Sequence, residues 1–265
     1  MTYASVTLAG PAPWTTIDVP GATETAAYGI NDAGQIVGEY ALANLHHGFL
    51  LAGGHVTSID VPGAIESYAF GINAGGQIVG IYRDTPTHTQ HGFTLAGGRF
   101  TTLDGPGARD TEAFGINAAG RIVGEYTDDQ KTHGFVLDGG RYTTIDVPGA
   151  IETKAQGINT TGQIVGIYRN TATNADHGFL LAGGRVTTLD APGATETEAF
   201  GINATGQIVG IFFNAAALRS FVWDKGQFTA IDGVWANGIN AAGQIVGFYP
   251  DAASHGHAVT FPWSR

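Results

Sequence analysis

Three charged residues occupy one matched position in consecutive repeats of this chain: Glu112, Lys154 and Glu198. A lysine flanked by two carboxylates can hold an anionic group. It can also act as a base if its pKa is depressed, while a glutamate serves as the acid. The same position reads Tyr68 in the preceding repeat and Trp235 in the following one. Charged groups between aromatic walls suit a small polar molecule or a sugar. Tyr68, Glu112, Lys154, Glu198 and Trp235 are therefore the candidate ligand-binding set. Lys154, Glu112 and Glu198 are the catalytic candidates if the chain is an enzyme.

A second series could offer nitrogen ligands to zinc or nickel: His47, His91, His133, His177 and His255. Metal ligands must converge within about 2 Å of one ion. Equivalent positions in different repeats are far apart unless they line a common axis. A structural histidine bonded to neighbouring backbone is the simpler expectation, and no metal or cofactor is expected. Six aspartates recur as well, at Asp18, Asp60, Asp104, Asp146, Asp190 and Asp232. They are expected to cap the backbone of the turns that follow them. No Gly-x-Ser-x-Gly elbow, phosphate-binding glycine loop or His-Glu-x-x-His pair occurs.

The element that must position these residues is written six times. Gly-Ile-Asn, then Gly-Gln-Ile-Val-Gly or a close variant, begins at Gly29, Gly71, Gly115, Gly157, Gly201 and Gly238, with spacings of 42, 44, 42, 44 and 37. The second repeat reads as four short strands over 67–73, 77–82, 91–97 and 99–104, rich in β-branched and aromatic residues and bounded by turn residues. Asn-x-x-Gly between the first two suits a type I turn, and Gly-Gly between the last two suits a two-residue hairpin. Val-Pro-Gly-Ala before the next repeat is a type II signature. No sustained helical period appears.

Four antiparallel strands in about 43 residues, six times over, is the arithmetic of a β-propeller. The expected fold is all-β: one six-bladed domain over residues 1–265, its last blade closed by both termini. Val6–Ala9 and His257–Phe261 compete for the third strand of that blade. A right-handed β-helix fits less well, because its coils are shorter and lack two-residue hairpins. Each first strand carries two variable positions on one face. The outer one is the candidate site set. The inner one, Tyr28, Phe70, Phe114, Gln156, Phe200 and Asn237, reads as inter-blade packing. Glu39 and Glu125 agree in alternate repeats, as do Arg83 and Arg169, which fits duplication of a two-blade unit.

The pattern His-Gly-Phe-x-Leu-x-x-Gly, Thr-Thr-Ile-Asp-Val-Pro-Gly-Ala and Gly-Ile-Asn-x-x-Gly-Gln-Ile-Val-Gly-x-Tyr resembles the bacterial HAF repeat. The motif stands at His47-Gly48-Phe49, His91-Gly92-Phe93, His133-Gly134-Phe135 and His177-Gly178-Phe179. It departs at Ser220-Phe221 and at His255-Gly256-His257. The resemblance implies an extracellular or cell-surface location and brings no catalytic residues with it.

A net charge of −11, with only three lysines, offers no basic stripe for a phosphate backbone, so no nucleic-acid partner is expected. No apolar run is long enough for a transmembrane helix, and no membrane insertion is expected. Cysteine is absent, which removes disulfides and thiolate chemistry. No signal peptide is visible at the start. The chain is expected to be a monomer that binds a glycan or another small polar ligand at a channel mouth. A hydrolase or lyase with one site there is the alternative, and a structural surface protein is the third reading. Site-determining residues are expected where the repeats disagree, including the short loop before Gly238.

Overall fold

The computed structural model describes residues 7–8, 14–85, 87–215 and 217–263. They form six antiparallel sheets arranged in a ring, with no helix among the described residues. The third blade is representative: Asp110–Ile116, Ile122–Thr127, Thr132–Asp138 and Arg141–Ile145, hydrogen-bonded in chain order. Short β-branched runs broken by obligatory turns cannot do otherwise. Gly139 and Gly140 both have positive φ, 56° and 86°, which the hairpin between the last two strands requires.

The sixth sheet combines Trp235–Ile239, Gln244–Pro250 and Gly256–Pro262 with Thr15–Ile17, which pairs antiparallel with the last of these. Gly256–Pro262 holds its third position. Of the competing segment, Thr7–Leu8 runs parallel to Gln227–Ile231 at the edge of blade five, and Val6 and Ala9 lie outside the described residues.

The first strands surround a central axis, each beside the next, with Trp235–Ile239 beside Glu24–Ile30. A closed collar of six buried asparagines joins them. The Asn31 side-chain amide donates to the Asn73 carbonyl at 3.1 Å, Asn73 to Asn117 at 3.1 Å, and Asn117 to Asn159 at 3.1 Å. Asn159 donates to Asn203 at 3.2 Å, Asn203 to Asn240 at 3.0 Å, and Asn240 back to Asn31 at 3.2 Å. Each Asn Oδ1 also accepts two backbone N–H groups of its own turn; for Asn117 these belong to Ala119 and Arg121. One residue type thus closes the tight turn and links adjacent blades. The expectation that it opens the turn holds, and the inter-blade bond is an addition to it.

Between blades the sheets pack face to face. Phe49, Phe93, Phe135, Phe179 and Phe221 are fully buried there, at the motif's third position. The histidines stack on a tyrosine of the neighbouring strand and bond to the aspartate ending the fourth strand. His47 meets Asp60 at 2.8 Å, His91 meets Asp104 at 2.7 Å, His133 meets Asp146 at 2.9 Å, and His177 meets Asp190 at 2.9 Å.

These pairs correct two expectations. The histidine partner is a carboxylate rather than backbone. The turn that the aspartate was expected to cap is instead capped by Thr or Ser: Thr111 Oγ1 accepts from Gly105 N at 2.9 Å, and Ser67 Oγ from Val61 N at 3.0 Å. A third correction concerns blade six. His257, not His255, takes the repeat position, stacking on Tyr249 and bonding to Asp18 at 3.0 Å. Sheet register sets the choice, because His257 lies opposite Tyr249 as His47 lies opposite Tyr40.

Blade five shows why its motif departs. Arg219 replaces the histidine and grips Asp232 through two bonds, at 2.6 and 2.7 Å. Ser220 replaces the glycine. Its hydroxyl donates to Val234 O at 2.7 Å and accepts from Ala236 N at 2.9 Å, filling the space beside the shortened connection.

Asn117→Ala leaves two turn N–H groups without partners and removes the inter-blade donor to the Asn159 carbonyl, which keeps only the bond from Gly162 N. The expected cost is roughly 1–3 kcal/mol in urea unfolding, from the lost inter-blade bond and the two unpaired turn N–H groups. A change below roughly 0.5 kcal/mol, the level of an inert surface substitution, would remove the collar from the list of stabilising elements.

Candidate functional site

In all six blades the ladder between the first two strands slips by one residue. The extra residues are Tyr28, Phe70, Phe114, Gln156, Phe200 and Asn237, each between an alanine and a glycine. Such a bulge re-aims the side chain it carries. All six line a central cavity of about 360 Å³, together with the following Gly-Ile pairs, Trp235 and Phe248. The inner variable position therefore faces the channel instead of packing between blades. The alternation that assigns faces along a strand fails at a bulge.

The glycine after each bulge is dictated by space. A Cβ on Gly115 would lie 2.8 Å from the Gln156 carbonyl oxygen of the next blade, and one on Gly238 would lie 2.6 Å from that of Tyr28. The first strands approach too closely around the axis for any side chain there.

The aromatic rings touch in series. Tyr28 and Phe70 are 4.9 Å apart, and Phe70 and Phe114 are 5.4 Å apart at a steep angle. Gln156 and Asn237 interrupt the collar with amides. Asn237 spends its amide on the Ala27 carbonyl at 2.9 Å, across the junction between blades six and one.

The five sequence-predicted residues do not form one cluster. Tyr68 stacks over Phe70 and on His46, whose Nδ1 lies 2.6 Å from Glu39; Glu39 in turn accepts from Tyr28 at 2.6 Å. Burial, reinforced by Glu39, pushes the Tyr28 and Tyr68 hydroxyls well above their usual pKa. Trp235 is 37% exposed, leans on Phe248 at 5.0 Å and lines the channel. The short loop before it leaves its outer face uncovered.

Glu112 and Lys154 come together with a residue outside the predicted set, Glu125. Glu112 lies directly opposite Glu125 in the strand register, and Lys154 Nζ of the next blade reaches Glu125 Oε1 at 3.4 Å. Glu125 is 7% exposed, and its Oε2 has no hydrogen-bond partner. Burial raises its pKa to about 7, against the pull of Lys154. Burial likewise raises the carboxyl of Glu112. For Lys154, burial works downward, but Glu125, Glu112 and Glu152 outweigh it and the ammonium is held more firmly than usual. Lys154 is therefore a fixed cation, not the base with lowered pKa that the sequence offered.

Glu198 sits in a separate polar cavity of about 130 Å³ with Glu152, Lys154, Ile167, Arg169 and Asp176. Asp176 holds Arg169 through two bonds, at 3.0 and 3.1 Å. Burial, then Asp176, raises the Glu198 carboxyl. The histidines stay in their own blades with their own aspartates. Among the described residues no three His, Cys, Asp or Glu side chains are placed to hold a metal ion. The signal that could have found Glu125 was its recurrence with Glu39 in alternate repeats.

No protein-family model and no curated protein matches this chain. Solved structures do. The putative TolB from Agrobacterium tumefaciens superposes with TM-score 0.61 at 13% identity, over 91% of each chain. A putative gluconolactonase gives 0.57 at 12%, over 95% of this chain and 93% of its own. The virginiamycin B lyase from Staphylococcus aureus gives 0.52 at 12%, over 96% and 100%. The chain is thus a six-bladed β-propeller. At these identities the likeness extends to the fold alone, and the neighbours themselves differ in activity.

The fold favours the protonated form of Glu125, so its favourable contribution is complete below the ordinary carboxyl range and is withdrawn as pH rises toward 7 and above. Between about pH 5 and about pH 8 the wild type should lose roughly 1–3 kcal/mol relative to Glu125→Gln, read as diverging melting temperatures. Parallel curves would show that Glu125 ionises normally.

Proposed function

We propose that this chain is a binding propeller whose ligand enters the channel mouth. The ligand's apolar or ring face rests on the aromatic collar, and its polar groups meet the rim. The single observation carrying this reading is the bulge repeated in six blades, which turns Tyr28, Phe70, Phe114 and Phe200 into a common cavity. A structural purpose alone would be served by six identical residues. The chain instead varies these positions and places amides at Gln156 and Asn237. Aromatic faces with a few polar groups suit a saccharide, whose C–H face stacks while its hydroxyls bond, or another small polar molecule. The resemblance of the motifs to HAF repeats supports an extracellular or surface setting for such a binder.

A hydrolase or lyase reading is favoured by one observation, the near-neutral acid Glu125 beside Glu112 and Lys154. In that reading Glu125 donates the proton and Lys154 holds a negative group. Glu198 shares a cavity with Lys154 and has no hydrogen bond or ion pair to Glu125 or Glu112.

Titration calorimetry with phenyl β-glucoside offers both a stacking ring and hydroxyls. Binding should weaken about tenfold or more in Phe114→Ala and in Phe200→Ala, with each variant still folded, because an aromatic contact contributes about 1–2 kcal/mol. Affinity that survives both substitutions would place the site elsewhere. Release of phenol during the titration, lost in Glu125→Gln, would favour the enzymatic reading.

A further inference from the structure

We propose that the ligand of this mouth carries a positive charge: an ammonium group read by Glu112 and Glu125, with its apolar body against Phe114. The inference rests on the channel-binding reading above and assigns the charge class of its ligand.

The two carboxyls face each other across one strand pair, and Lys154 supplies a single positive charge to them. Once both are ionised, two carboxylates and one ammonium leave one negative charge uncompensated. Lys154 occupies Oε1 of Glu125 and leaves the buried Oε2 without a donor. A buried carboxylate oxygen is stable only with a donor against it. The Glu112 carboxyl has no hydrogen bond or ion pair among the described residues, and the charge acting on it in its favour is Lys154. The arginines at the matching position of the adjacent blades are already engaged: Arg169 by Asp176, and Arg83 by Glu66 at 3.1 Å.

Glu112 does not line the cavity itself, but its equivalents border it: Trp235 lines the cavity, and Tyr68 stacks on Phe70 at 6.3 Å. Glu112 and Phe114 are partly exposed residues two apart on the same strand, and Phe114 lines the cavity. A ligand lying against Phe114 therefore brings its head group to Glu112. Aromatic faces also attract a cation directly. An anion would meet Glu112 and Glu125 together and be repelled. A metal ion is a poor occupant, since no three suitable ligands converge among the described residues. The net charge of −11 draws organic cations toward the molecule from a distance.

The test compares three probes of nearly equal shape by calorimetry at about pH 8: 2-phenylethylammonium, 2-phenylethanol and phenylacetate. The ammonium should bind about tenfold tighter than the alcohol, with phenylacetate weakest. The advantage should fall below roughly threefold in Glu112→Gln and in Glu125→Gln, while the affinity for the alcohol is kept. Glu112 is partly exposed, so its variant tests the claim even if Glu125→Gln fails to fold. A purely structural role for Glu125 would lower thermal stability and leave the ratio of the probes unchanged. Equal binding of ammonium and alcohol, both lost in Phe114→Ala, would overturn the charge assignment and leave the channel reading intact. Failure of all three probes to bind would overturn both.

Discussion

Everything in this molecule hangs from a ring of six asparagine side chains. Each must reach the next blade's carbonyl while its oxygen holds two N–H groups of its own turn, so the first strands are fixed in height, spacing and rotation together. A buried polar network of this kind is stabilising only when complete. Here it closes on itself, with Asn240 reaching Asn31 across 209 positions of sequence. The glycines after the bulges follow from that closure. Once the collar draws the strands together, the carbonyl of one blade occupies the place where a Cβ of its neighbour would sit.

The same constraint separates scaffold from site. Repeated residues serve the ring: Asn in the collar and Gly at the close approach in all six blades, and in five of them Phe between sheets or His stacked on Tyr with Asp at its edge. The bulge residue is held in place by invariant neighbours on both sides, yet its own side chain projects into open space and can change without disturbing the ladder. A short connection in blade six uncovers Trp235 beside it. At the outer variable position, opposite charges from adjacent blades meet in partly buried surroundings, and burial there pushes carboxyl groups toward neutrality.

Much of the fold was legible in the chain because its signals are local. Asn-x-x-Gly, Gly-Gly and Val-Pro-Gly each name a turn within four residues, and the spacing near 43 sets the blade. Failures came where geometry is not local. Phe114 and its equivalents were assigned to packing because alternation was extended through a bulge that only the opposing strand reveals. His255 was chosen over His257 by its match to His-Gly, whereas the structure chooses by stacking on Tyr249 and by Asp18 from the far end of the chain. Glu125 was seen only as half of a recurring pair, since its lysine comes from another blade. Of Glu112, Lys154, Glu198, Tyr68 and Trp235, Trp235 lines the central cavity, and the five fall into three neighbourhoods rather than one.

The central claim is that the ring builds the fold and the bulge residues take the ligand. Aromatic ring signals in nuclear magnetic resonance read it most directly during titration with 2-phenylethylammonium. The account predicts that Phe70, Phe114, Phe200 and Trp235, which line the channel, shift together, while Phe49, Phe93, Phe135 and Phe179, sealed between the sheets, stay still. Shifts confined to the outer strands, or a channel set that stays as still as the sealed one, would contradict it.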